Sequence, residues 1–346
     1  MSGRGSRISQ GDVNKAISGY FDGSGGGLRD IFDNIRSRKD EDNFVSGAFF
    51  KSYNPSGKLK KTLIDSLYEG KVRGVYLDKL YVIGACDEQG VLTEKGLDKS
   101  LTLLPSVKLQ VERFNELLGG GRKLLFEEMA GPIEGSIEEH YFSIFSGEGF
   151  FSIHPKSRIL SIIGVAFSWS ALQELVENQG WGEVLTESGN YGLLINYDEN
   201  PPCFEYVDTV KSEFPIEFSQ AWKRLSITNI EKTIWTDFRK IFEKALEKTY
   251  WVYSYKYSSE THKKEFEQLV QCVNHEKLRL FYKERFESEV GLIGWPDATN
   301  FSSDSINLVE LKRNRDKLRL DQFSTIRKIL NEFNSVGEVK VIHHNI

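Results

Sequence analysis

Asp297, directly after the Pro296 turn, and the pair Glu310 and Lys312 in an apolar run are the side chains best suited to handling a cation and a phosphate. Residues two apart in a strand point to one face of a sheet, so Glu310 and Lys312 share a face while Val309 and Leu311 occupy the other. A carboxylate and an ammonium then stand side by side. With Asp297 on a neighbouring strand, two carboxylates converge, and hard oxygen ligands of this kind suit Mg²⁺. The lysine would polarise an attacking water or steady charge developing on a phosphate.

Local elements must bring these groups together. The polar stretch 302–305 is the natural closure of a hairpin whose first strand starts at Asp297 and whose second carries Glu310 and Lys312. A helix follows and carries Gln322. Between strand and helix lie Arg313, Arg315, Lys317 and Arg319, with Arg327 and Lys328 further on, a cluster suited to holding DNA by its phosphates with little base discrimination. Upstream, the amphipathic stretch 262–286 is read as helical. It carries the acids Glu265, Glu267 and Glu276, and later Glu284 and Glu287.

The bulk properties leave this local reading intact. At 346 residues with 39% apolar content, the chain is long enough for two or three domains with buried cores. A net charge of −5 excludes a global basic field, so nucleic-acid contact would come from local patches. Three scattered cysteines, Cys86, Cys203 and Cys272, lack metal-ligand spacing and imply a reducing compartment. No apolar run approaches about 18 residues and the start lacks a hydrophobic signal core. The expectation is a soluble intracellular protein, cytoplasmic or, in a eukaryote, nuclear, without a membrane partner.

Read in order, residues 1–27 form a glycine-rich flexible arm. The region 28–120 reads as helical and winged-helix-like: helices around residues 28–35 and 59–67, then a short β-hairpin with a strand over 72–83 and a turn at 87–90, residues 92–97 as a turn into a further helix, and another helix over 104–118 closed by Gly119, Gly120 and Gly121. Residues 121–250 form a middle domain. In it Glu138, Glu139 and His140 read as a solvated turn, 159–167 as a strand or buried helix, 190–197 as a strand, and 222–250 as one helix with an apolar stripe through Ile230, Ile234, Phe238, Ile241, Phe242 and Leu246. Residues 251–346 form the terminal domain, closed by a strand near 338–342 that is followed by His343 and His344.

The phrases Gly294-Trp295-Pro296-Asp297, Val309-Glu310-Leu311-Lys312 and Asp316-Lys317-Leu318, with Gln322 beyond, resemble the VRR-NUC branch of the PD-(D/E)XK nucleases. The resemblance is confined to the terminal domain. It implies that Asp297 and Glu310 bind Mg²⁺ or Mn²⁺, that the Leu311 carbonyl completes the ligand set, that Lys312 orients the attacking water and that Gln322 braces the site. It also implies an upstream glutamate that completes the site, for which Glu267 or Glu265 fits by position, with Glu284 and Glu287 as the alternatives. Arg313 departs from the family, where the residue after the lysine is small.

The expected architecture is mixed α/β: a restriction-endonuclease-like terminal module with a central mixed sheet flanked by helices, preceded by a helix-rich region. The expected function is metal-dependent hydrolysis of DNA, with a homodimer permitted. The alternatives are a DNA-binding or assembly protein that keeps the nuclease fold without cutting, and a nuclease effector of a defence system gated by a ligand of the middle domain.

Overall fold

The structure, a computed structural model, describes residues 57–82, 84–133, 135–145, 151–153, 159–179, 194–196, 203–205, 216–250, 259–288, 290 and 294–345. The glycine-rich arm and the helix expected near 28–35 lie outside them. The chain divides into two compact units, 1–105 and 106–346.

In the first unit, helix α1 (Gly57–Glu69) buries Leu59, Leu63 and Leu67 along one face. The strand expected over 72–83 is instead a short helix, α2 (Leu77–Val82). Gly74, at φ +80°, breaks the extended run before it. Antiparallel bridges Lys71↔Val91 and Cys86↔Leu92 stand where a two-stranded wing was anticipated. Helix α3 (Glu94–Thr102) begins as expected, its N-terminus capped by Thr93, whose hydroxyl accepts the Gly96 N–H at 3.1 Å.

The second unit is built on a five-stranded mixed sheet. Helix α4 (Val107–Leu118) starts at the Ser106 cap and ends at Gly119, which adopts the left-handed conformation common after helices. It leads to β1 (Leu124–Ala130), then α5 (Ile137–Phe145) and β2 (Phe151–Ile153). Glu138 and Glu139 therefore open a helix rather than a turn. Ser136 and Glu139 bond each other's backbone N–H groups, a reciprocal cap that the Ser-x-x-Glu spacing encodes.

The apolar run from Ile159 becomes α6 (Ile159–Gln173), the centre of a helical layer. The strand β4 (Cys203–Glu205) pairs with β3 (Leu194–Asn196) on one side and β5 (Thr249–Tyr250) on the other in a small separate sheet. Around α6 pack α7 (Ile216–Lys232), α8 (Trp235–Lys248), α9 (Ser259–Cys272) and α10 (His275–Glu287). Phe167 of α6 stacks on Phe238 of α8 with ring centroids 4.1 Å apart. Tyr282 of α10 donates to the Leu160 carbonyl at 2.7 Å.

Two expected long helices are broken. At Thr233 the hydroxyl turns back onto the Asn229 carbonyl at 2.6 Å, leaving Ile234 exposed where a buried stripe was predicted. At Asn274 the side chain caps a new helix.

The terminal segment supplies β6 (Ala298–Phe301), β7 (Ile306–Arg313), α11 (Leu320–Glu332) and β8 (Val336–Asn345). Strand order is β1-β8-β7-β6-β2. β7 runs antiparallel to β6 and parallel to β8, which is itself parallel to β1. The sheet thus crosses the expected boundary at 251, taking β1 and β2 from the segment before it. One face of β7 buries Val309 and Leu311 with Tyr141 of α5 and Ile342 of β8. The other carries Glu310 and Lys312, toward α11.

Candidate functional site

The anticipated hairpin is present. Its register pairs Ala298 with Val309, so one further step sets Asp297 opposite Glu310. Gly294 makes the approach possible. At φ +74°, a Cβ placed on it would lie 2.2 Å from the Asp321 carbonyl oxygen, so the 294–297 segment can run against the first turn of α11 only with glycine there. Trp295 then docks by its indole N–H on the Thr299 hydroxyl at 3.0 Å and packs against Phe281 and the Arg285 guanidinium.

Asp297 turns inward, and its Oδ2 accepts the backbone N–H of Leu311 at 2.9 Å. Glu310 is fully buried. Its Oε1 accepts hydrogen bonds from Nζ of Lys312 and Nε2 of Gln322, while Oε2 is buried without a hydrogen-bond partner. Burial pushes the Glu310 carboxyl up to about 8. The Lys312 ammonium pulls it down by less, and the charge of Asp297 adds to the upward push.

Gln322 is aimed by the helix that carries it. Its Oε1 accepts the backbone N–H of Arg319 at 3.0 Å, which caps α11 and leaves the amide N–H₂ directed at Glu310. Asp297, Glu310, Lys312 and Gln322 are therefore brought together.

Glu267, expected as a metal ligand, is exposed on α9 and pairs with Arg239 of α8 at 2.8 Å. Its carboxylate is thereby turned toward α8. Glu287 is exposed with Lys283 at 3.8 Å. Glu284 is buried, but it accepts the backbone N–H groups of Asn334 and Ser335 at 2.8 and 3.0 Å and so holds the turn between α11 and β8. Among the described residues no group of three or more His, Cys, Asp or Glu side chains could hold a metal ion.

The basic residues occupy the connection from β7 to α11. Arg315 and Arg319 are exposed, Arg313 and Lys317 half-buried. A shallow cleft of about 790 Å³ is lined by Arg313, Asn314, Arg315, Asp316 and Asn345. The connection is tied down: Asn314, at φ +49°, donates its N–H to the His344 carbonyl at 3.0 Å, and the Arg313 N–H donates to Oδ2 of Asp316 at 3.3 Å.

Two further anchors escaped the sequence reading. Gln110 of α4 bonds both backbone groups of Leu318, and Arg122 donates to the carbonyls of Phe333, Val336 and Gly337. The signal for Gln110 was a polar residue inside the stripe Val107, Val111, Phe114; none marked Arg122.

No family model and no curated protein sequence matches the chain. Among solved structures it is similar to paFAN1 bound to 1-nucleotide 5′-flap DNA with a gap, at 13% identity and a TM-score of 0.45, covering 91% of this chain and 54% of that one. It is also similar to paFAN1 bound to 2-nucleotide 5′-flap DNA with a gap, at 12% identity and a TM-score of 0.44, covering 92% and 54%. The chain thus spans about half the length of those structures.

Proposed function

We propose that this chain is a metal-dependent DNA nuclease whose phosphodiester-cutting site is formed by Asp297, Glu310 and Lys312. The observation that carries the reading is Glu310: a fully buried carboxyl beside a second carboxyl, with one oxygen held by Lys312 and Gln322 and the other buried without a partner. Burial keeps Glu310 a neutral acid up to about 8, so a cation that binds there must displace its proton, and the Glu310 and Asp297 oxygens are the donors it would meet. Hard oxygen donors fit Mg²⁺ or Mn²⁺, which Asp297, Glu310 and the Leu311 carbonyl would hold. When bound, such an ion supplies charge neutralisation at phosphate and a more acidic water.

The chain's own groups have separable tasks. Lys312 presents a fixed ammonium at the same edge, able to orient a water and offset charge on a phosphate oxygen. Gln322 keeps Glu310 from turning. Arg313, Arg315, Lys317 and Arg319 would hold the DNA backbone through its phosphates. The likeness of residues 294–322 to the VRR-NUC pattern supports the same roles.

Labelled duplex, flapped and single-stranded DNA incubated with Mg²⁺ or Mn²⁺ tests this. Cleavage by the wild type, lowered at least about 100-fold in Asp297→Ala and Lys312→Ala, is expected; equal behaviour of the three proteins, or no cleavage of any substrate, would overturn it. DNA binding without cleavage is the second reading. It is favoured by the lack of a third converging acid among the described residues, and it predicts metal-independent binding.

A further inference from the structure

Glu310 is connected to a residue far away in the chain by an unbroken series of polar contacts. Gln110 lies in α4, fully buried in the stripe formed by Val107, Val111 and Phe114. Its Oε1 accepts the N–H of Leu318 at 2.9 Å and its Nε2 donates to the Leu318 carbonyl at 3.4 Å. Leu318 immediately precedes Arg319, whose N–H is bonded by Oε1 of Gln322 at 3.0 Å; Nε2 of the same amide then reaches Oε1 of Glu310.

Only a primary amide of this length does what Gln110 does. It imitates a strand neighbour, offering an acceptor to one backbone N–H and a donor to the adjoining carbonyl. The loop that receives it is held at its start by the backbone bonds of Arg313 and Asn314, and Gln110 holds Leu318 at its end. Gln322 is equally constrained: with its carbonyl oxygen committed to the Arg319 N–H, its only remaining polar group toward the site is the donor that Glu310 accepts. A shift of Leu318 would move the Arg319 N–H, rotate the Gln322 amide and leave Oε1 of Glu310 held by Lys312 alone.

We infer that Gln110 is a positioning residue for the site, setting the orientation of Gln322, and through it Glu310, by clamping the backbone of Leu318. The inference rests on the nuclease reading for its functional consequence, but the clamp itself is a property of the fold. Groups that orient metal ligands typically change metal affinity or activity by about 10–100-fold when removed. Gln110 acts one step further out, so a loss of about 3–10-fold in Mn²⁺ affinity is expected for Gln110→Leu, with DNA affinity in the absence of metal unchanged. Gln110→Glu keeps the acceptor and loses the donor, and should fall between Gln110→Leu and wild type.

Three measurements on the full chain test this. In the wild type, hydrogen exchange at the Leu318 and Arg319 amides should be slow; exchange as fast as at Arg315 would overturn the clamp without any variant. By NMR, the Gln322 side-chain amide signals should move in Gln110→Leu or Gln110→Glu, whichever folds, and unmoved signals would overturn the coupling. Mn²⁺ titration by calorimetry should show the weakened affinity in a variant whose unfolding stays cooperative. An affinity equal to wild type would overturn the positioning role. Wild type that binds no Mn²⁺ while the first two results hold would sink the nuclease reading and leave the clamp standing.

Discussion

At the scale of single residues, the main tension is between Glu310 and its surroundings. Burial favours the neutral acid, Lys312 favours the carboxylate, and burial prevails, placing the group at about 8 against an ordinary value of 4.5. The sign of the pH effect follows. A carboxyl whose folded-state value is raised contributes stability that is complete below the unfolded value of about 4.5 and is lost as pH rises through about 8. Metal-free wild type should therefore lose Tm between pH 5 and pH 9 relative to Glu310→Gln, which cannot ionise. Added Mn²⁺ should restore the wild type and not the variant, because a ligating carboxyl must release its proton. Thermal unfolding across pH checks this, and parallel profiles for the two proteins would exclude it.

At the scale of elements, the site depends on how closely the 294–297 segment lies on α11. A methyl group at position 294 meets the Asp321 carbonyl at 2.2 Å and the Thr325 hydroxyl at 2.9 Å, on a backbone already at φ +74°. Gly294→Ala should cost about 2 kcal/mol or more in denaturant unfolding, since both strain and overlap oppose it. A change under about 0.5 kcal/mol would mean the segment is free to shift. The β7–α11 connection makes a different prediction. Arg315 and Arg319 are exposed, and if they contact phosphates, Arg315→Ala and Arg319→Ala should each lower the salt dependence of DNA binding by about one unit of slope while weakening all sequences alike. Binding measured from low to moderate salt decides it, and an unchanged slope would remove these residues from the interface.

At the scale of the whole molecule, the sheet is assembled from distant parts of the chain. β1 closes one edge on β8 and β2 the other on β6, while α4 contributes Gln110 and the turn after it Arg122. A fragment of residues 251–346 lacks all four, so it should not unfold cooperatively, whereas a fragment of residues 106–346 should; circular dichroism during urea titration distinguishes them. Cooperative unfolding of the shorter fragment would show that the edges and clamps are dispensable.

What could be read in the sequence was local. The turn at Pro296, the hairpin around residues 302–305, the shared face of Glu310 and Lys312, and the start of α3 each depend on residues a few positions apart, where backbone geometry and side-chain period determine the outcome. The helix breaks at Thr233 and Asn274 were written in the same local terms but were overridden in the reading by the apolar stripe running past them. Which elements meet was decided by tertiary structure alone. Periodicity shows that a helix has a buried face and not what covers it, so Glu267 could be placed on a helix but not turned toward Arg239. Gln110 could be seen in an apolar stripe but not joined to Leu318. The chemistry of Asp297, Glu310 and Lys312 belongs to the sequence; the buried, half-satisfied state of Glu310 that gives that chemistry its force exists only once α4, β7 and α11 are packed together.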